Sequence, residues 1–124
     1  MPGTGQKIWL IDDSELTQEM MSVVLEAYGY ELLCSSQPDA APPGDGISLV
    51  LLDVSIPGVA REDLGKHVER LRHDLSGAPV VLHSSHDAQT LEAIVAASGA
   101  DGFLQKTGDD DALVAALDRW LNAA

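Results

Sequence analysis

Three aspartates, a serine pair and a lysine are the residues whose types and placement could do chemistry together. Asp12 and Asp13 close the apolar run "IWLI", Asp53 closes "SLVLLD", Ser84 and Ser85 close "PVVLHSS", and Lys106 closes "GFLQK". Adjacent carboxylates repel and raise each other's pKa, so a cation is the economical partner for Asp12 and Asp13. A cluster of oxygens with no His or Cys suits a hard ion, and Mg2+ typically keeps waters beside a few carboxylates. Asp53, under the same cation, can serve as ligand or as nucleophile, because a carboxylate is a covalent acceptor of phosphoryl groups. Phosphoryl transfer needs donors and positive charge around the equatorial oxygens, which Ser84 and Lys106 can supply.

Those residues share a site only if the chain brings the ends of its apolar runs together. The runs are Ile8–Ile11, Glu31–Cys34, Ser48–Leu52, Pro79–His83 and Gly102–Leu104. Their lengths and their polar, Gly or Pro boundaries predict buried strands. Between them lie patterns of helical period: Leu16, Met20, Val23, Val24 and Ala27; Leu64, Val68 and Leu71; Leu91, Ile94 and Val95; Leu113, Leu117, Trp120 and Leu121. Each set predicts one apolar face packed on a sheet. The aspartates Asp109 to Asp111 suit the positive end of the last helix dipole. The second crossover, "SQPDAAPPGDG", carries three prolines and two glycines, which predicts a short or absent helix. Strand–helix alternation implies an α/β protein whose parallel sheet is covered on both faces. Sites in such sheets lie beyond the carboxyl ends of the strands, where all the residues above fall.

Composition narrows the function. The chain has 124 residues, enough for one domain with one core. Hydrophobic residues make up 45 % and aromatics only 4 %, so Leu, Val, Ile and Ala must build that core. A net charge of −13 with seven Lys and Arg argues against binding nucleic acid or an anionic membrane surface. The single Cys34 reads as a small buried hydrophobe. The opening "MPGTGQK" has no apolar signal-peptide core, and no apolar run reaches membrane-spanning length. A cytoplasmic location and a flexible leader over residues 1–6 are the expectations.

With "IDD" at Asp12–Asp13, "LVLLDVSIPG" around Asp53, Ser84 after the fourth strand and Lys106 after "GFLQ", the chain resembles the response-regulator receiver domains of bacterial two-component signalling. The resemblance runs from about Lys7 to Leu121. It implies a flavodoxin-like (βα)5 doubly wound sheet of order 2-1-3-4-5 and a single receiver domain over residues 1–124. It assigns Asp53 as phosphoacceptor, and Asp12, Asp13, Asp53 and the backbone carbonyl of Ser55 as Mg2+ ligands. Ser84 becomes the switch hydroxyl, Lys106 the lysine that pairs with the phosphoryl group, and Phe103 the aromatic that follows the switch. The implied donor is a histidine kinase or phosphotransfer protein. The implied output is a downstream protein, bound through the face of the fourth helix, fifth strand and fifth helix, which can also form a homodimer. Such a domain is a switch, with only self-phosphorylation and self-dephosphorylation chemistry.

Three features depart from the family. Thr107 stands where proline usually follows the lysine, so a trans Lys106–Thr107 bond is expected, with Gly108 taking the chain reversal. The second crossover is rich in proline. His83 occupies a position that is usually apolar, and reads as a hydrogen-bonded core or loop histidine; His67, His73 and His86 read as surface residues. Simpler roles also exist: Asp12 or Asp13 could cap the first helix, and Ser84 and Ser85 could form a strand-to-loop turn. One alternative is a degenerate receiver that binds partners constitutively. Another is a Mg2+-dependent aspartyl phosphohydrolase, which would want an acid where Ser55 stands.

Overall fold

The computed structural model describes residues 5–106 and 108–122. Five parallel strands, β1 (Lys7–Ile11), β2 (Glu31–Ser35), β3 (Ile47–Asp53), β4 (Val80–Ser84) and β5 (Gly102–Gln105), form one sheet in the order β2-β1-β3-β4-β5. The helices are α1 (Glu15–Ala27), α2 (Leu64–Asp74), α3 (Ala88–Ser98) and α4 (Asp110–Asn122), with a single 3-10 turn at Arg61–Asp63. Every expected strand is present and the strand order is the expected one.

Strand alternation divides the core. Ile8, Leu10, Leu49, Leu51 and Val81 pack under α1 and α4, against Met21, Leu25, Val114 and Leu117. Trp9, Ile11, Val50, Leu52 and Leu82 pack under α2 and α3, against Leu64, Val68, Leu71, Leu91 and Ile94. Successive residues point to opposite faces, and β1, β3 and β4 are buried almost throughout, as a sheet covered on both sides requires.

The second crossover carries no helix; residues 36–46 are turns and bends. The chain is held down instead by buried Pro38, whose carbonyl accepts from Arg70 Nη2. The expected fourth and fifth helices are therefore α3 and α4.

Two expectations are corrected. Leu16, Met20 and Val23 do not face the sheet; they are 66 %, 57 % and 73 % exposed. α1 carries two apolar stripes, and the one that packs is Met21 and Leu25 with Val24 and Tyr28 beside them. Gln18 helps fix that choice, since its Nε2 donates to the carbonyl of Asp12 at 2.6 Å. Cys34 is exposed; it lies on the edge strand β2, on the α1 side of the sheet by its register with Leu10. At the start of the described residues the chain is bonded to the turn before β2. Gly5 N–H donates to Gly29 at 2.8 Å and the Gln6 carbonyl accepts from Glu31 N–H at 2.9 Å; residues 1–4 lie outside the described residues.

Candidate functional site

The carboxyl ends of β1, β3, β4 and β5 meet at one edge. Asp12 follows β1 directly, and its backbone N–H bonds to the Ser35 carbonyl at 3.0 Å, continuing the β1–β2 ladder by one step. Its side chain is fully buried and accepts from Ser14 N–H at 2.9 Å. The cap of α1 is Ser14, whose Oγ accepts from Thr17 N–H at 3.2 Å. Neither Asp12 nor Asp13 is needed for capping. Asp13 is exposed and Asp53 is 6 % exposed. Carboxylate oxygens of Asp12, Asp13 and Asp53 lie within 4.8 Å of one another.

Lys106 closes the cluster. Its Nζ lies 3.0 Å from Asp12 Oδ2 and 3.4 Å from Asp53 Oδ1. Its position is set by β5 and by its own N–H, which donates to the Ser84 carbonyl at 2.8 Å. The ammonium thus lies between Asp12 and Asp53, nearer to Asp12. Burial pushes the Asp53 carboxyl above its ordinary pKa, and the negative Asp12 adds to that; Lys106 and the Ser55 backbone N–H pull the other way. The resting site is an acid cluster with one internal counter-ion.

Ser84 is buried, and its Oγ accepts from His86 N–H at 3.1 Å. This is the local turn expected of a serine after a strand. Phe103 is half-buried and packs against the α2–α3 side of the core. Ser55 is exposed, and its N–H is the group directed at Asp53. Thr107 and the Lys106–Thr107 bond lie outside the described residues; Gly108 has φ of +76°, the conformation expected for the reversal into α4. Asp109 starts that helix, its Oδ1 accepting from Ala112 N–H at 3.1 Å.

Two residues at this edge were not legible in full. Gln18 orients the Asp12 backbone, and no sequence pattern marks it. His83, expected to be hydrogen-bonded, is 3 % exposed with Nδ1 enclosed and unpartnered. Burial, reinforced by the Lys106 charge, pulls its pKa down to about 4. Its alternation with Val81 directs it toward the α1–α4 face.

The chain is an α/β protein with an acidic cluster and a lysine at the carboxyl ends of its strands. Comparison gives it a family. The model of the family described as "Response regulator receiver domain" matches residues 8–118, and the chain belongs to that family. Among curated proteins it is 32 % identical over 122 residues to the transcriptional regulatory protein CrdR of Helicobacter pylori, covering 94 % of this chain and 55 % of that protein. It is 27 % identical over 127 residues to protein PilH of Pseudomonas aeruginosa, covering 93 % of this chain and 97 % of that one. Most of the curated relatives it matches are far longer, and the chain spans 17 to 59 % of their length.

Solved structures agree on the fold. Chemotaxis response regulator CheY4 of Vibrio cholerae superposes with a TM-score of 0.74 at 22 % identity, covering 95 % of this chain and 100 % of that one. The receiver domain of sensor histidine kinase PA1611 from Pseudomonas aeruginosa superposes with a TM-score of 0.76 at 19 % identity, covering 96 % of this chain and 99 % of that one. The latter is described with a magnesium ion coordinated in its active-site cleft. No helix among the described residues is long and apolar enough to cross a membrane.

Proposed function

We propose that Asp53 accepts a phosphoryl group from a histidine kinase or phosphotransfer protein, and that the domain acts as a signalling switch in the cytoplasm. The observation that carries this reading is the meeting of three carboxylates within 4.8 Å with an ammonium 3.0 and 3.4 Å from two of them. The donor set fits Mg2+. It is all oxygen, two of its three carboxylates are buried, and hard divalent ions take such ligands. Asp12, Asp13 and Asp53 would hold the ion, with the Ser55 carbonyl as a further ligand. When bound, Mg2+ neutralises charge on the carboxylates and on the transferring group.

The chain's own residues do the rest. Asp53 attacks phosphorus through a carboxylate oxygen; the new P–O bond replaces the donor's P–N bond, and the electron pair leaves with the imidazole. Ser55 N–H holds the Asp53 carboxylate in place. Lys106, already between Asp12 and Asp53, moves its charge onto the phosphoryl oxygens. The Ser84 hydroxyl exchanges its turn bond to His86 for one to the same group. These new contacts exist only in the phosphorylated state, so they shift the population toward it. Phe103, on the strand that leads to Lys106, carries the change to the α3–β5–α4 face, where a partner or a second copy docks. The domain spans residues 1–124 and has no substrate beyond its own acyl phosphate.

Intact mass after incubation with acetyl phosphate and Mg2+ tests the assignment. The expected result is a gain of one phosphoryl group in the wild type and none in Asp53→Asn. Equal gain in both would move the acceptor elsewhere, and no gain in either would leave a constitutive binding module.

A further inference from the structure

Between α1 and the start of α4 lies a cavity of about 390 Å3, beside the three carboxylates and sharing Lys106 with their site. Such a volume lies within the range of small-molecule sites. Its walls are largely apolar: Met20, Met21 and Val24 from α1 and Leu113 from α4. His83 lies among its lining residues, and its Nδ1 has no hydrogen-bond partner. A buried polar atom without a partner is rare in a folded protein and calls for an explanation.

We propose that this cavity binds a small, uncharged, mostly apolar ligand through one hydroxyl group that hydrogen-bonds the imidazole of His83. A phenol is the simplest member of the class. The hydroxyl follows from the state of the ring. A neutral imidazole offers one donor and one acceptor, and a hydroxyl serves either one, whichever tautomer the ring adopts. Charge is disfavoured on both signs. Asp109 and Asp110 line the cavity and oppose an anion, while Lys106 at its inner end opposes a cation. The methionines suit such a ligand, because their thioethers adapt to shape and make favourable contacts with aromatic edges.

Bound there, the ligand would lie against Lys106 and Gln105, the residues that end β5. Occupancy would then bias where the ammonium rests, and so link an apolar metabolite to the resting site. The binding proposal itself does not depend on Asp53 being a phosphoacceptor.

The probes are 4-methylphenol and toluene, which share a ring and a methyl group and differ in the hydroxyl. Binding is read in the whole chain by NMR, on the His83 ring nitrogens and the methyl groups of Met20 and Met21. The expected result is saturable binding of 4-methylphenol at least tenfold tighter than toluene, with the His83 nitrogens shifting only for the phenol. In His83→Leu the two probes should bind equally. No saturable shift with either probe would overturn the site. Equal affinity in the wild type, or a phenol preference that survives His83→Leu, would overturn the role of the imidazole. The wild-type comparison needs no variant, so it decides the question even if His83→Leu folds poorly.

Discussion

His83 gives the most direct measure of how this interior treats charge. Its imidazole is 3 % exposed and its pKa falls to about 4 from 6.5, first by burial and then by the Lys106 charge, with Asp12 opposing. Between these values the unfolded chain holds a proton on His83 that the folded chain does not. Unfolding therefore gains protons in this window, and stability falls as pH falls. Above pH 6.5 the group contributes no slope, and below about 4 the loss is complete. One proton over that interval corresponds to about 3 kcal/mol, at ~1.4 kcal/mol per pH unit. The measurement is urea denaturation followed by tryptophan fluorescence, at steps from pH 7.5 to 4.5, in chelator. His83→Leu removes the titration and leaves every carboxylate in place, Asp53 included. The stability of the wild type minus that of His83→Leu should therefore fall steadily with falling pH, by about 2 kcal/mol or more across the range. A difference constant with pH would mean that His83 titrates equally in both states, and that its burial carries no electrostatic cost.

The remaining predictions concern the acid cluster and the packing behind it. Asp13→Ala should abolish Mg2+ binding in a titration yet leave stability within ~0.5 kcal/mol of wild type, because Asp13 is exposed. Lys106→Met should destabilise the metal-free protein by about 2 kcal/mol. That is less than the ~3–5 of a fully buried pair, since the lysine side chain is 29 % exposed. Added Mg2+ should restore much of the loss by replacing the counter-ion, as denaturation with and without the ion would show. Gly102→Ala should cost between about 1 and 3 kcal/mol by overpacking, because a Cβ there would meet the Trp120 ring, 2.8 Å from Cη2; equilibrium denaturation checks it.

The strands were legible because their apolar runs are short and bounded, and a sheet buried on both faces leaves such runs no other use. The site was legible for the same reason: once Asp12, Asp53, Ser84 and Lys106 stand at strand ends, a parallel sheet must bring them together. What the sequence hid was rotation and partnership. Two apolar stripes on α1 compete at the same period, and only Gln18 reaching the Asp12 carbonyl at 2.6 Å helps decide which one faces inward. Lys106 could be placed near the cluster but not between two of its members, because that depends on side-chain reach across β3 and β4. His83 was expected to have a hydrogen bond, on the general rule that buried polar groups find one. Its Nδ1 is an exception that only coordinates reveal. Cys34 was misjudged because the apolar run does not show that β2 is an edge strand, shielded by a neighbouring strand on one side alone.

The helix-free crossover has a consequence for how the domain comes apart. Local opening starts where few apolar contacts hold the backbone, and residues 41–46 are exposed at every position. The side-chain ties here are the bond from Lys7 Nζ to the Asp45 carbonyl at 2.9 Å and, just before the stretch, that from Arg70 to the Pro38 carbonyl. Protease nicking and fast amide exchange should begin at this margin, since exposed loops of small residues are preferred cleavage sites. It lies at the β2 side of the sheet, across β1, β3 and β4 from the β5–α4 end. The molecule thus has a slack margin and a taut one, and it can breathe at the first without disturbing the lysine and serine at the second.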